Sequence, residues 1–300
     1  MVKGNMFLYA LLLSAFCFLS CDEEDNVISG TEKGFYSASI YATIEGIGAY
    51  NKYGAQGFAV HNNVGFYFYD TGYCQTIDLE KKSIISSFKL PEGVANSQNH
   101  CGVACFSSLF VDLKDDYPLL YLSSYKELKC YVLRMTETSA ELVQVLQMKD
   151  DNGDILPVYA FMPDGDLLLL KTNRPQLENG LYTYHWKVAK RPSITEEENA
   201  FLIPSDVLYE FTTESSDGYN AGFCRNGMIY QIAGYHGYGT KKLYIIDYIN
   251  CNILKEIIWE EPFLYQEEHE QCTPYGEDGM LINYTKADYI SHIKFTYWNY

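Results

Sequence analysis

The sequence predicts an all-β protein built from repeated four-stranded antiparallel sheets. Three observations carry this expectation. Residues 219–259 hold four short runs rich in β-branched and aromatic residues: AGFC, MIYQIAGY, KLYIIDYI and NILKEIIW. Such residues fit a pleated, packed surface. The first two runs are joined by Asn226-Gly227, the pair best suited to a two-residue hairpin turn that needs φ > 0 at both positions. The same pattern then recurs along the chain, and no long stretch carries the 3.6-residue apolar period of an amphipathic helix.

The chain begins with a different kind of segment. Residues 1–20 carry one lysine, Lys3, and an apolar core from Met6 to Leu19, ending at Ser20 before Cys21. That layout is a secretory signal, too short and wrongly flanked for a membrane span. The ending FLSC resembles the lipobox of bacterial lipoproteins, which implies lipidation at Cys21. The run Asp22, Glu23, Glu24, Asp25 resembles the acidic signal that sends some Gram-negative lipoproteins to the cell surface. Residues 21–33 then read as a flexible acidic tether held in outer-membrane lipid through Cys21. The expected location is the outer membrane, exposed at the cell surface, with a periplasm-facing orientation as the alternative.

Residues 34–300 read as one domain. After the run Phe35–Ile44 (FYSASIYATI), the first unit gives GFAVHN, VGFYFYDT, YCQTIDL and SIISSFKL. The second gives GVACFSS, PLLYLSSY, CYVLRMT and AELVQVLQM. The third gives VYAFMP, DLLLLKT, LYTYHWKV and VLYEFTT. The fourth is the 219–259 unit. The last gives CTPYGE, MLINYTKA and SHIKFTYWN, one strand short of the others. Asn62-Asn63, Asp164-Gly165, Asn226-Gly227 and Asp278-Gly279 occupy the same hairpin slot in four units.

This register of strands and turns resembles the β-propeller superfamily over residues 34–300, and the whole chain resembles bacterial surface lipoproteins with a propeller body. The resemblance implies five four-stranded blades, with Phe35–Ile44 supplying the missing outer strand of the last and leaving no exposed edge. Six blades would follow if Ala189–Asp206 held a further sheet, and two packed β-sandwiches are the competing all-β layout. Ala189–Asp206 itself reads as a surface insertion with a helical turn at SITEEENAF.

Composition narrows the function. The formal net charge is −17, which repels phosphate backbones and anionic lipid heads, so nucleic acid is not an expected partner. There is no P-loop, GxSxG elbow, HExxH or zinc-finger spacing, and neither a cofactor nor a metal is expected. Cys101, Cys105, Cys224 and Cys272 fall in or beside first strands and read as core thiols. Cys101 and Cys105 are too far apart along one strand to bridge, and a Cys74–Cys130 link between units stays open.

The propeller resemblance implies a ligand site at the channel mouth formed by segments leading into first strands and by loops joining second to third strands. The candidates are Tyr53, Asn99, His100, Asp154, Asp217, Tyr219, Asn220, Glu268, His269 and Gln271, with Tyr125, Asn173 and Arg174 among the second-to-third-strand loops. Tyrosine rings with amides and carboxylates suit a carbohydrate or polar peptide. The leading expectation is a non-enzymatic, surface-anchored binding protein for a saccharide or protein partner. A glycan-cleaving hydrolase or lyase using mouth carboxylates is one alternative, because acid pairs about 5–10 Å apart perform that chemistry. A scaffold within an outer-membrane complex is the other. His100 and His269 facing each other across the channel would be the one conceivable metal pair.

Overall fold

The computed structural model describes residues 32–37, 39–47, 55–94, 100–174, 177–194, 199–234, 241–260, 268–277, 279–284 and 289–294. Its strands follow the repeat. The described chain starts with β1 (Glu32–Ser37) and β2 (Ser39–Thr43). Sheet one is the meander β3 (Ala55–His61), β4 (Val64–Tyr69), β5 (Tyr73–Asp78) and β6 (Ser83–Lys89). Sheet two is β7 (Val103–Phe106), β8 (Leu120–Ser124), β9 (Lys129–Met135) and β10 (Ala140–Lys149), with the short β11 (Ile155–Leu156) outside β10. Sheet three runs through β12 (Ala160–Asp164), β13 (Leu167–Lys171), the short β14 (Leu177–Glu178) and β15 (Leu181–Lys190). After β16 (Asn199–Leu202), it ends in β17 (Val207–Ser215). Sheet four is β18 (Tyr219–Arg225), β19 (Met228–Ala233), β20 (Lys241–Asp247) and β21 (Asn252–Glu260). The last sheet has β22 (His269–Tyr275), β23 (Gly279–Tyr284) and β24 (Tyr289–Lys294), with β2 as its fourth strand. The four main strands of each of the first four sheets come from one stretch of chain, sheets four and two each gain a further edge strand (β1 and β16), and the last sheet takes its fourth strand from the N-terminal side.

The first strands β3, β7, β12, β18 and β22 each touch the next, and β22 touches β3, so the inner strands close a ring in an all-β, propeller-like arrangement. Packing between the sheets explains the uninterrupted apolar runs. On β4, Phe66 and Phe68 pack toward sheet two while Tyr67 and Tyr69 pack toward the last sheet. On β8, Leu120 and Leu122 face sheet one and Tyr121 faces sheet three. On β13, Leu168 and Leu170 face sheet two and Leu169 faces sheet four. Strands buried on both faces need apolar residues at every position rather than at alternate ones.

The run Phe35–Ile44 does not form one closing strand. Its first part belongs to β1, which lies parallel to β21 on the outer edge of sheet four, and its second part is β2, antiparallel to β24. One extended segment therefore covers the outer edges of two neighbouring sheets. The insertion differs as well. Asn199–Leu202 lies parallel to β10 as strand β16, and Pro204–Asp206 forms a single 3-10 turn. Residues 195–198, the middle of SITEEENAF, lie outside the described residues.

The hairpin turns hold two corrections. Asn62-Asn63 and Asn226-Gly227 carry positive φ at both positions, as expected (46° and 62°, 53° and 84°). In sheet three, however, Asp164 pairs with Leu167, so the turn is Gly165-Asp166 and only Gly165 has positive φ. In the last sheet Tyr275 pairs with Gly279, which places Gly279 in β23 rather than in the turn, and Asp278 lies outside the described residues. Keeping Asp164 in the strand frees its carboxylate to accept from the N–H groups of Asn226 (3.3 Å) and Gly227 (2.8 Å) and from the Tyr248 hydroxyl (2.8 Å). A charge-assisted latch thus joins sheet three to the next hairpin.

The seven described cysteines are free. Cys101, Cys105 and Cys272 are buried and Cys224 is half-buried, in keeping with core thiols. Cys74 packs between sheets one and two and Cys130 between sheets two and three, on opposite faces of sheet two, so the Cys74–Cys130 link is not made.

The axis of the ring is closed by Gln271, which is fully buried. Its Oε1 accepts from the N–H groups of Phe58 and Ala104, each at 2.9 Å. Its Nε2 donates to the carbonyls of Ala104 (2.6 Å) and Gly222 (3.4 Å). Its own N–H donates to Asn283 Oδ1 (2.9 Å), and Asn283 Nδ2 donates to the Gln56 carbonyl (3.2 Å). Replacing Gln271 with leucine keeps the volume but strands several buried backbone groups, each worth about 1–3 kcal/mol. The variant is expected to lose about 3–5 kcal/mol in denaturant titration, and a loss below 1 kcal/mol would contradict this account of the axis.

Candidate functional site

The inner hairpin turns lie at one end of the ring. At the other end, the chain leads into each inner strand and joins second to third strands. Five side chains from three sheets form a row there. Asp70 follows β4, His100 precedes β7, Tyr125 lies between β8 and β9, Tyr159 precedes β12, and Arg174 follows β13. His100 Nδ1 is 3.3 Å from the Asp70 carboxylate. The His100 ring centroid is 5.6 Å from that of Tyr125, which is 5.2 Å from that of Tyr159. The Arg174 guanidinium sits over both tyrosines, 4.4 Å from the Tyr125 centroid and 5.7 Å from that of Tyr159.

The backbone fixes this row. His100 has a φ of 47°, and its carbonyl accepts from Gly102 N–H (2.9 Å) and Tyr125 N–H (3.2 Å), tying two loops together. Asn173 donates to the Thr183 carbonyl (2.8 Å) and accepts from His185 N–H (2.8 Å), which holds the loop presenting Arg174. Cation–π contact at an exposed site adds about 0.5–1 kcal/mol. Lys171, at the end of β13, has its ammonium pulled down to about 8 by burial.

The sequence candidates divide sharply. His100 stands in the row. Asp217 is half-buried, with its carboxylate 2.7 Å from Lys242 Nζ and accepting from the Ser216 (2.7 Å) and Tyr244 (3.1 Å) hydroxyls. Burial alone would raise its pKa, but these partners outweigh burial and hold it below the usual carboxylate range. Asp217 is therefore an ion-pair hub at the edge of sheet four, with Glu256 on the same lysine at 3.2 Å. Asp154 is exposed in the turn between β10 and β11, at the outer margin of sheet two rather than in the mouth.

Glu268 is half-buried just before β22. His269 is fully buried, edge-on to Trp259 with centroids 5.7 Å apart, and Lys241 Nζ lies 3.1 Å from its Nδ1. His269 and Gln271 thus belong to the interior, and His100 and His269 engage different partners rather than facing one ligand. Among the described residues no cluster of three or more His, Cys, Asp or Glu side chains converges to hold a metal. Tyr219 and Asn220 open β18, where the pairing with β19 shifts register between Tyr219 and Gly222. Cys21, Tyr53 and Asn99 lie outside the described residues.

Two members of the row, Asp70 and Tyr159, were not legible as site residues. Asp70 follows the apolar run of β4 like any turn aspartate, and Tyr159 reads as part of the strand run VYAFMP. Tyr125 and Arg174 could be placed, because both fall between well-marked second and third strands.

No protein-family model matches the chain, and no curated protein matches it in sequence. Solved structures do. A glutaminyl cyclase from Myxococcus xanthus is 12% identical with a TM-score of 0.50, covering 88% of this chain and 98% of that one. The β-propeller domain of Cps50 (Swd1) from Myceliophteria thermophila is 8% identical with a TM-score of 0.41, covering 81% and 84%. At these identities the likeness to the cyclase shows the propeller-type fold alone.

One buried and one half-buried histidine set an acid limit on stability. Burial, and then the Lys241 charge, hold His269 well below its usual value, and burial lowers His61. An unfolded histidine takes its proton near pH 6.5 while these folded rings resist it, so the stability they supply is present above about pH 6.5 and lost as pH falls. Below pH 6.5 the fully buried His269 contributes a slope of up to ~1.4 kcal/mol per pH unit while it stays neutral, and the half-buried His61, screened by solvent, contributes less. Thermal midpoints are expected to fall between pH 7 and 5, and His269→Gln to flatten that fall whatever its stability at pH 7. An unchanged slope in the variant would remove His269 from this account.

Proposed function

We propose that the five sheets are five blades of a propeller, and that the protein is a non-enzymatic binding lipoprotein whose ligand, a saccharide, occupies the mouth beside Asp70, His100, Tyr125, Tyr159 and Arg174. The observation that carries this reading is the contiguous row itself. It crosses three sheets and is held by backbone contacts of His100 and Asn173. Rings beside a guanidinium, an imidazole and a carboxylate pair flat faces with hydroxyl-binding groups. The mouth carboxylate Asp217 is committed to Lys242, which weakens a glycosidase reading that needs two free acids.

A second reading is catalytic. His100 against Asp70 is a base with an orienting acid, and the fold neighbour from Myxococcus xanthus is a glutaminyl cyclase. One experiment separates the two: calorimetric titration of an oligosaccharide panel, with the same mixtures and an N-terminal glutaminyl peptide followed for product. Tyr125→Ala and Arg174→Ala are each expected to weaken saccharide binding about tenfold, the loss of ~1.4 kcal/mol, without product in any mixture. Turnover abolished by His100→Ala would favour the catalyst, and silence across both arms would overturn both readings.

The anchor at Cys21 is supported by FLSC and by the acidic run after it. β1 begins at Glu32 beside Lys255, near the start of β21, whose preceding turn lies against the inner hairpin at Gly227. A tether reaching β1 from that side leaves the Tyr125 mouth pointing away from the membrane. Labelled fatty acid is expected to enter the wild-type chain in Gram-negative cells and to be absent from Cys21→Ala. Equal labelling of the two would remove the anchor.

A further inference from the structure

The opposite end of the ring holds a separate cavity of about 420 Å³ among the inner hairpins of sheets four, five and one. Val60, His61, Asn62 and Asn63 line it from β3 and its turn, Arg225 from the end of β18, and Pro274, Tyr275 and Gly276 from the end of β22. In a chain with 39 acidic residues, the described residues lining this cavity include an arginine and no carboxylate. None of the described residues lining it belongs to the row at the Tyr125 mouth, and Gln271 bonds the inner strands β3, β7 and β18 part-way along their length.

The walls are positioned before any ligand arrives. Arg225 immediately precedes the Asn226-Gly227 turn that Asp164 clamps from sheet three. The left-handed Asn62-Asn63 turn is fixed by Leu79 N–H donating to the Asn63 carbonyl at 2.9 Å. The His61 ring packs against Phe106 and Tyr117, with centroids 5.5 and 5.9 Å away. The Tyr275 and Tyr41 hydroxyls share a 2.6 Å hydrogen bond, leaving the Tyr275 ring as a fixed wall. Prior ordering of this kind lowers the entropic penalty of binding.

The chemistry of the lining selects its occupant. The Arg225 guanidinium offers a planar fork matched to a carboxylate. Burial keeps His61 neutral at physiological pH, so it adds no second charge and can both donate and accept. Two asparagine amides add further donors and acceptors, which suit hydroxyl groups. A phosphate dianion calls for more than one cation, and an unsubstituted fatty acid would leave the amides unmatched. We propose that this cavity is a binding site for a hydroxylated monocarboxylate of sugar size, a hexuronic acid either free or at the end of an acidic oligosaccharide.

The test is calorimetric titration of the full chain with glucuronate, with an oligoglucuronate, with glucose and with inorganic phosphate. Glucuronate is expected to bind, and glucose and phosphate at least tenfold more weakly, about the contribution of one charge-assisted pair. Binding of the oligomer in preference to the free acid would assign the site to a chain end, and equal affinities to the monomer. Arg225→Ala is expected to weaken glucuronate about tenfold or more, Arg225→Lys by less, and Leu113→Ala, at an exposed position outside the cavity lining, not at all. Thermal midpoints of the variants within the wild-type range exclude a folding defect, and Arg225→Lys serves if alanine unfolds the chain. Equal binding of glucose, tighter binding of phosphate, or loss of glucuronate binding in Tyr125→Ala alone would overturn the proposal.

Discussion

One buried amide holds the centre of this molecule. Gln271 stands on β22 and reaches backbone groups of β3, β7 and β18, so four of the five inner strands meet at a single side chain. Inner strands that converge on an axis leave N–H and C=O groups facing one another with no ladder to satisfy them, and an unmet buried backbone group is costly. A glutamine carries both a donor and an acceptor and can satisfy both kinds. The close approach shows in a glycine as well. A Cβ on Gly57 of β3 would meet the carbonyl of Cys101, just ahead of β7, at 2.7 Å.

The same amide shows why strands were easier to read than sites. Strand positions were legible because burial on both faces forces runs such as FYFY, LLYL and LLLL, bounded by Asn and Gly turns. Gln271 and His269 read as mouth residues in sequence because polar residues just ahead of CTPY look like a loop. Nothing local distinguishes an axial plug from a ligand contact. The register shift between His269 and Gln271, which lies inside the strand, is invisible in sequence. Asp164 misled in a related way: Asp-Gly suggested the turn itself, while the latch to the next sheet required the aspartate in the strand.

Charge is distributed with a purpose that composition hides. The net charge of −17 suggests a uniformly acidic surface, yet cations stand at particular points. Lys242 joins Asp217 to Glu256 at the edge of sheet four, Arg174 lies on tyrosines at one mouth, and Arg225 lines the cavity at the other. Against an acidic background each cation creates a local reversal of potential, which marks it out to a ligand more strongly than it would on a neutral protein.

The N-terminal segment that covers the edges of sheets four and five has a consequence for the order of events in folding. Thr43 pairs with Tyr289 and Ser37 with Glu260, so the first strands to be synthesised find their partners only after almost the whole body exists. Closing so long a loop adds little to its equilibrium penalty, because that penalty grows only with the logarithm of length. The delay is kinetic: contacts this distant in sequence slow folding, and until they form the outer edges of two sheets stay open to pairing with other chains. The earliest part of the body made is the last part placed, and the interval between the two is when the protein is most exposed to misassembly.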